Sequence, residues 1–542
     1  MASVADSGNL VETEPQQDEE GGFPVQATEV PNVLFVITDQ QRADHVGFSG
    51  NGTVRTPAID SIAERGMVFD NAWVSNPICM PNRSTIVTGR MPSAHGVVFN
   101  DRSLEWQANT FVRVFRAGGW RTGLFGKSHF QHGMSRLISG EADLAPAVFS
   151  SANQGWDELE HAEHYLDEPP EFPESFYGFE NVELSIDHGA RVTGHHMHWA
   201  IDRGGSLEDL FVPLDSTAPA SRRSELWWQI YDPPYPPELH SSAFVADRTI
   251  NFIEESARRQ EPWLAWASFP DPHHPMTPPG EWFDRHSPAD MAVPTTIDDP
   301  LDGAPDFLRR LQNTTVDQML AWVGLTGATS RELVKECVAA TYGMIELIDE
   351  CVRRILATVE KLGQTNTTIV VFTSDHGDMM GDHGLLLKGL MHYRGVLQVP
   401  LVIAGPGLPP GRTMALASSI DLGPTLMEMC GLAPYEGIQG QSLVSLLSGS
   451  GGEVRDSVLI EDDVPAFAGR ASSYPGHTRT IVTRSHRYTR HSTGEEQLFD
   501  LANDPDELTD LSNRDEGTRT LVLEQLLDSM LAHSDWARCA RS

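Results

Sequence analysis

Two stretches constrain the fold of this chain before anything else does. Asn32-Val33-Leu34-Phe35-Val36-Ile37-Thr38 runs into Asp39, and Thr368-Ile369-Val370-Val371-Phe372-Thr373-Ser374 runs into Asp375. Each is a continuous apolar, β-branched run with no polar alternation. Such a pattern belongs to a strand buried on both faces, in a parallel sheet covered by helices. A third run, Pro262 to Phe269, leads into Pro272-His273-His274-Pro275, and helical patterns lie between the runs, over Pro57 to Arg65, Thr110 to Ala117, Ser242 to Arg258 and Ser330 to Leu362. This alternation predicts a layered α/β fold. Ligand sites in such folds lie at the carboxyl ends of the strands, where Asp39 and Asp375 stand.

A chain of 542 residues exceeds what one core comfortably supports, so a large and a smaller domain are expected. Residues 1–31 are polar and acidic and are expected to be a disordered tail. The large domain is expected over 32–447, and Ser448-Gly449-Ser450-Gly451-Gly452 is a flexible joint. Beyond it, 453–542 holds short strand patterns (Val458 to Glu461, Thr480 to Thr483, Gln497 to Asp500) and a closing helix from Thr518 to Ala532. Within the large domain, 151–237 is rich in Pro, Glu, His and aromatics with weak periodicity. It reads as a long excursion suited to specificity loops.

The formal net charge is −37, which disfavours nucleic acid and anionic membranes as partners. Any anion site in such a chain must be locally basic. Lysine is scarce, with Lys127, Lys335, Lys361 and Lys388 the only four. A high-salt cytoplasm and a biased genomic composition account for this balance equally well. The 5 cysteines, Cys79, Cys337, Cys351, Cys430 and Cys539, are far apart and odd in number, which argues against a disulfide framework or a zinc cage. No apolar run reaches the roughly 20 residues of a membrane helix, and the N-terminus lacks the basic and apolar segments of a signal peptide. A cytoplasmic location is expected.

Cys79-Met80-Pro81-Asn82-Arg83 has the form Cys-x-Pro-x-Arg and is followed by Thr88-Gly89-Arg90. Taken alone, the pentapeptide also describes a reduced cysteine opening a helix, with Arg83 in an ion pair. Gly119-Trp120-Arg121-Thr122-Gly123-Leu124-Phe125-Gly126-Lys127-Ser128-His129 lies downstream, and Leu498-Phe499-Asp500-Leu501-Ala502-Asn503-Asp504-Pro505-Asp506-Glu507 near the end. These segments resemble the two signatures and a recurrent C-terminal motif of the sulfatase family, over about Asn32 to Asn513. The resemblance implies an alkaline-phosphatase-like α/β/α sandwich with a central mixed, mostly parallel sheet, plus a smaller C-terminal α+β domain with a short antiparallel sheet.

It also implies a chemistry. A formylglycine-generating enzyme would oxidise Cys79 to formylglycine, which hydrates to a geminal diol. One hydroxyl attacks sulfur and expels the alcohol, and the other, once deprotonated, collapses the hemiacetal and ejects sulfate. A serine could accept the sulfuryl group but could not release it this way. Asp39, Asp375, His376 and the modified Cys79 match the family's ligands for one divalent metal ion, with Gln40 a weaker ligand or a substrate contact. Many arylsulfatases have a second aspartate where Gln40 stands and Asp-Asn where Asp375-His376 stands, so Ca²⁺ is expected while His376 also suits Mn²⁺. Arg83 would orient the diol. Lys127 and Lys388 would bind sulfate oxygens as point charges. His129 would be the base for hemiacetal collapse, and His273 the acid or donor at the leaving group, with His274 a bystander.

His195, His196 and His198 either line the pocket or sit in a solvated loop. His95 and Asn100 are further pocket candidates. The resemblance implies a small-molecule or carbohydrate sulfate ester as substrate, and the family includes homo-oligomers. Phosphonate monoester and phosphodiester hydrolases of the same superfamily are the nearest alternative, but they characteristically replace the Lys-x-His pair kept here as Lys127 and His129. A non-catalytic binding protein with unmodified Cys79 is the alternative from another class.

Overall fold

The computed structural model describes residues 30–100, 102–133, 155–213, 215–314, 325–326, 329–449, 451–464 and 475–534. The acidic tail, apart from residues 30 and 31, lies outside the described residues, as do Ser450 and Cys539.

The centre is a sheet of nine strands. In chain order they are β1 (Asn32–Thr38), β2 (Gly66–Phe69), β3 (Arg121–Gly126), β4 (Asn181–Ile186), β5 (Thr193–Gly194), β6 (Trp263–Ser268), β7 (Thr368–Ser374), β8 (Leu401–Ala404) and β9 (Gly411–Thr413). Their order across the sheet is β9-β2-β8-β7-β1-β6-β3-β4-β5. Strands β7, β1, β6, β3 and β4 run parallel to one another, while β8 pairs antiparallel with β7 and β2, and β5 pairs antiparallel with β4. The sheet is therefore mixed and mostly parallel.

Every residue of β1, β6 and β7 is buried, as continuous apolar runs require. Alternate side chains of β1 enter opposite cores. Leu34 and Val36 pack with residues of the helices Ser241–Arg259 and Arg331–Lys361. Val33, Phe35 and Ile37 pack with those of Cys79–Thr88, Phe111–Ala117 and Leu422–Met429. This is the α/β/α sandwich. A second, four-stranded antiparallel sheet follows: β10 (Ser457–Asp463), β11 (His477–Thr483), β12 (His486–His491) and β13 (Glu496–Asp500). The helix Glu516–Ala532 packs Val522 and Leu526 against it.

One expectation needs correction. The stretch 151–237 is not wholly an excursion, because β4 and β5 within it extend the central sheet beyond β3. Three of the first four residues of β4 are only half-buried, so it lacks the apolar run that marks its neighbours. Cys79, Cys337, Cys351 and Cys430 are all free thiols. No helix among the described residues is long and apolar enough to cross a membrane.

Candidate active site

Register decides which residues meet. Thr38 lies opposite Ser374, Ile37 opposite Ser268, and Gly126 opposite Ser268, so β7, β1, β6 and β3 end level with one another. The next residues, Asp375, Asp39 and Lys127, emerge side by side, and the chain leaving β6 reaches His273 within a few residues. The backbone ties these ends together: Asp375 N donates to Thr38 O, Asp39 N to Asp271 O and Lys127 N to Ser268 O.

Cys79 opens the helix Cys79–Thr88, all of which is buried. Its Sγ lies 3.7 Å from Asp39 Oδ1 and 3.2 Å from His376 Nε2, and Lys388 Nζ is 3.0 Å away. Donor atoms of Asp39, Cys79, Asp375 and His376 all fall within 4.8 Å of one another. His376 Nδ1 lies 2.9 Å from Gly377 O, which makes Nδ1 the protonated nitrogen and turns the Nε2 lone pair toward the cluster. Two carboxylates, an imidazole lone pair and a sulfur, converging in a buried spot, form a donor set that fits one divalent cation.

Gln40 occupies a different place. Its backbone N donates to Asp375 Oδ1, while its side chain donates to Asp378 and its Oε1 lies 3.2 Å from His274 Nδ1. His274 thus reaches the site through Gln40.

Arg83, four residues along the same helix and wholly buried, ties three strand ends to it. It donates to Asp375 Oδ2 (2.7 Å), Lys127 O (3.0 Å) and Ser268 Oγ (2.8 Å). Its Nη2 has no hydrogen-bond partner among the described residues and lies 3.9 Å from Asp39 Oδ2. Lys127 pairs with Asp39 Oδ2. Lys388 follows the short strand Leu386–Leu387 and lies 2.9 Å from His376 Nε2. Burial alone would protonate Asp39, but Lys127, His273, Lys388 and His188 hold its carboxyl well below the usual range. Burial and Asp39 push the Cys79 thiol up, yet Lys127, Lys388 and His376 leave it below its ordinary value.

His129 and His273 stand on the Lys127 side. Burial, Lys127 and His188 keep His129 neutral, and its Nδ1 has no hydrogen-bond partner among the described residues. His273 Nδ1 faces His274 O at 2.5 Å, and burial and neighbouring cations hold this ring neutral too.

One residue of this site went unrecognised in the sequence. His188, two residues past β4, places Nε2 2.6 Å from Lys127 Nζ and 3.6 Å from Asp39 Oδ2, and its ring stacks on His273 with centroids 3.8 Å apart. The signal that finds it is the strand-end position already used for Asp39 and Asp375. Other candidates serve the scaffold. His195 accepts from Leu184 N, while His196 Nε2 meets Leu239 O and His198 Nε2 meets Tyr165 O. They are on a helix, neither a pocket wall nor a solvated loop. Asn100 Oδ1 accepts from Met80 N at the start of the Cys79 helix, and His95 bonds Thr85 and Val97 N.

Known proteins resemble this chain over nearly its whole length. The sulfatase family profile matches residues 31–432, and that of the N-sulphoglucosamine sulphohydrolase C-terminal region matches 381–534. An arylsulfatase of Clostridium perfringens is 29% identical over 497 residues, covering 90% of this chain and 91% of its own. A choline-sulfatase of Rhizobium meliloti is 27% identical, covering 93% and 87%. Among solved structures, the phosphonate monoester hydrolase of Agrobacterium radiobacter superposes with a TM-score of 0.74 at 26% identity, over 93% of this chain and 96% of that one. The fold is that of the alkaline phosphatase superfamily, and within it the chain belongs to the sulfatase family.

Proposed function

We propose that this sulfatase-family hydrolase cleaves a sulfate monoester to an alcohol and inorganic sulfate, with Cys79, converted to formylglycine, as its nucleophile. One observation carries the reading. In a chain of net charge −37, three buried cations (Arg83, Lys127 and Lys388) converge with the carboxylates of Asp39 and Asp375 around the Cys79 side chain. Three cations on one reacting side chain suit an anionic ester.

Asp39, Asp375, His376 and the Cys79-derived group would hold a divalent cation, Ca²⁺ by the hard carboxylates, with the nitrogen of His376 also suiting Mn²⁺. When bound, the cation supplies Lewis-acid charge at the reacting centre. When formed and hydrated, the aldehyde supplies one hydroxyl as nucleophile and a second whose deprotonation expels sulfate.

The other groups work through position and protons. Arg83 holds Asp375 and the Cys79 helix in one frame. Lys127 and Lys388 bind sulfuryl oxygens from the two sides of Cys79. Neutral His129 accepts the proton whose removal releases sulfate. His273 serves the departing oxygen. The charge of a bound ester offsets the nearby ammoniums and favours the protonated imidazole that donation requires.

The test is a mass spectrum of the peptide containing Cys79, taken on protein from its native host, together with sulfate release from a panel of aryl, choline, alkyl and sugar sulfates. A wholly unmodified thiol, with no sulfate released from any ester, refutes the reading and leaves a binding protein.

The likeness to a phosphonate monoester hydrolase supports a second reading, that phosphorus esters are the preferred substrates. The pairing of Lys127 with Asp39 beside His129 favours sulfate. Comparing kcat/KM for 4-nitrophenyl sulfate and 4-nitrophenyl phenylphosphonate decides between them.

A further inference from the structure

His188 touches both Lys127 and His273 at the centre, and no role has yet been given to it. It stands at the tip of β4, in a turn that is specifically built. Asp187 (φ 67°) and Gly189 (φ 62°) both adopt left-handed backbone. A Cβ on Gly189 would lie 2.8 Å from Pro275 O, so the turn packs directly on the segment that carries His273 and His274. The Asp187 carboxylate is held by Arg191 at 2.9 Å and Thr193 Oγ1 at 3.3 Å. Arg191 in turn donates to Val212 O and lies over the Phe211 ring. The His188 side chain that this frame presents is 19% exposed, against 0% for Asp39, so it lies at the outer edge of the centre.

Its two contacts suit a single purpose. The Lys127 ammonium has three N–H groups. One is taken by Asp39 and one by His188 Nε2, which leaves one for a sulfuryl oxygen. With Asp39 as sole anchor the ammonium could swing about that contact, and His188 removes the freedom. Accepting from an ammonium also requires the Nε2 lone pair, so the His188 ring carries its proton on Nδ1. On its face, His188 stacks on His273 at 3.8 Å and 25°, and His273 stacks on His274 at 4.1 Å. His273 is thus clamped between two rings, with Nδ1 engaged by the His274 carbonyl, and only its Nε2 edge is free to serve the leaving group.

We propose that His188 is a positioning residue of the sulfuryl site, which aims Lys127 through Nε2 and holds His273 in plane by stacking. The inference rests on the sulfate-ester reading above. It also fixes the direction from which substrate comes: the leaving group departs along the His273–His188 side, the less buried edge of the centre.

The two roles separate experimentally. His188→Ala loses both contacts. His188→Gln keeps an acceptor for Lys127 but offers no ring to His273. An activated ester such as 4-nitrophenyl sulfate needs little acid assistance, whereas phenyl sulfate needs it fully, and general acid catalysis contributes about 10²–10⁴-fold. His188→Ala should lose about tenfold on 4-nitrophenyl sulfate, mostly in kcat, and at least ten times more on phenyl sulfate. His188→Gln should recover the former and not the latter. Calorimetric affinity for inorganic sulfate should weaken several-fold in His188→Ala and return in His188→Gln, with unfolding midpoints close to the parent in both.

Equal losses on the two esters, no loss at all, or unchanged sulfate affinity in His188→Ala would each overturn the proposal. If His188→Ala fails to fold, the same comparison applies to His188→Gln, where a loss confined to phenyl sulfate supports the clamp and equal losses refute it. An unsubstituted enzyme that releases no sulfate from either ester would instead sink the underlying reading, so the two failures remain distinct.

Discussion

Arg83 is where fold and chemistry depend on the same atoms, which makes its removal the most informative perturbation. In Arg83→Met the side-chain volume is roughly kept while the guanidinium is lost. Asp375 then remains a buried carboxylate without its 2.7 Å partner. Breaking a buried pair from one side costs about 3–5 kcal/mol. Two further acceptors, Lys127 O and Ser268 Oγ, lose their donor. Ser268 can turn its hydroxyl elsewhere, but the carbonyl cannot, which adds about 1 kcal/mol. The expected loss is therefore about 4–6 kcal/mol. At about 2.1 cal/mol/K per residue, the unfolding entropy of a chain this long is about 1.1 kcal/mol/K, so the midpoint should fall by about 3.5–5.5 °C. The scan is run with chelator, so that no cation compensates Asp375. Arg83→Lys restores charge but not the three-way fork and should recover only part of the loss. The exposed pair Arg353–Glu350 is the control, and Arg353→Ala should shift stability by no more than about 0.5 kcal/mol. If Arg83→Met unfolds within about 1 °C of the parent, the guanidinium is not the tie between strand ends that the geometry describes.

The remaining expectations follow from the same centre and one region beyond it. Cys79→Ala should abolish turnover with little change in unfolding midpoint, while Cys79→Ser should release at most one equivalent of alcohol and then stall; steady turnover in either contradicts the assigned nucleophile. Chelator should inactivate the enzyme and a divalent cation should restore it, with His376→Asn shifting the preference from Mn²⁺ toward Ca²⁺ in add-back titrations. Away from the site, burial opposes ionisation of Glu346, but hydrogen bonds from His286, Arg285 and Arg55 bring its pKa down to about 2. A depressed carboxyl stabilises the fold above its unfolded value and loses that contribution as pH falls toward 2, so Glu346→Gln should flatten the acid limb of a stability profile between about pH 4.5 and 2. An unchanged acid limb would show that this network is not coupled to folding.

How much of this was legible in the sequence depends on how each element is buried. Strands β1, β6 and β7 announce themselves because both faces are dry, and their apolar runs deliver Asp39, His273 and Asp375 at the correct ends. Strand β4, Asn-Val-Glu-Leu-Ser-Ile, lies toward the sheet edge with four of its six residues partly wet, so its pattern is broken and His188 at its tip passed unnoticed. Lys388 is carried by a loop after a two-residue strand, where no periodicity exists to find it, and only family resemblance singled it out. Local clustering misled in the opposite direction. His195, His196 and His198 crowd one short segment, yet all three bond backbone atoms of the scaffold.

The order of strands across the sheet then decides which groups meet at the centre. Reading along the carboxyl ends, β7 offers Asp375, β1 Asp39, β6 leads to His273, β3 offers Lys127 and β4 His188. The carboxylates Asp375 and Asp39 therefore stand at one end of the row and the Lys127 ammonium with the His273 and His188 imidazoles at the other, while Lys388, from outside the row, lies beside His376. Asp39, in the second position, is the only one that touches both, reaching Cys79 and His376 through Oδ1 and Lys127 and His188 through Oδ2.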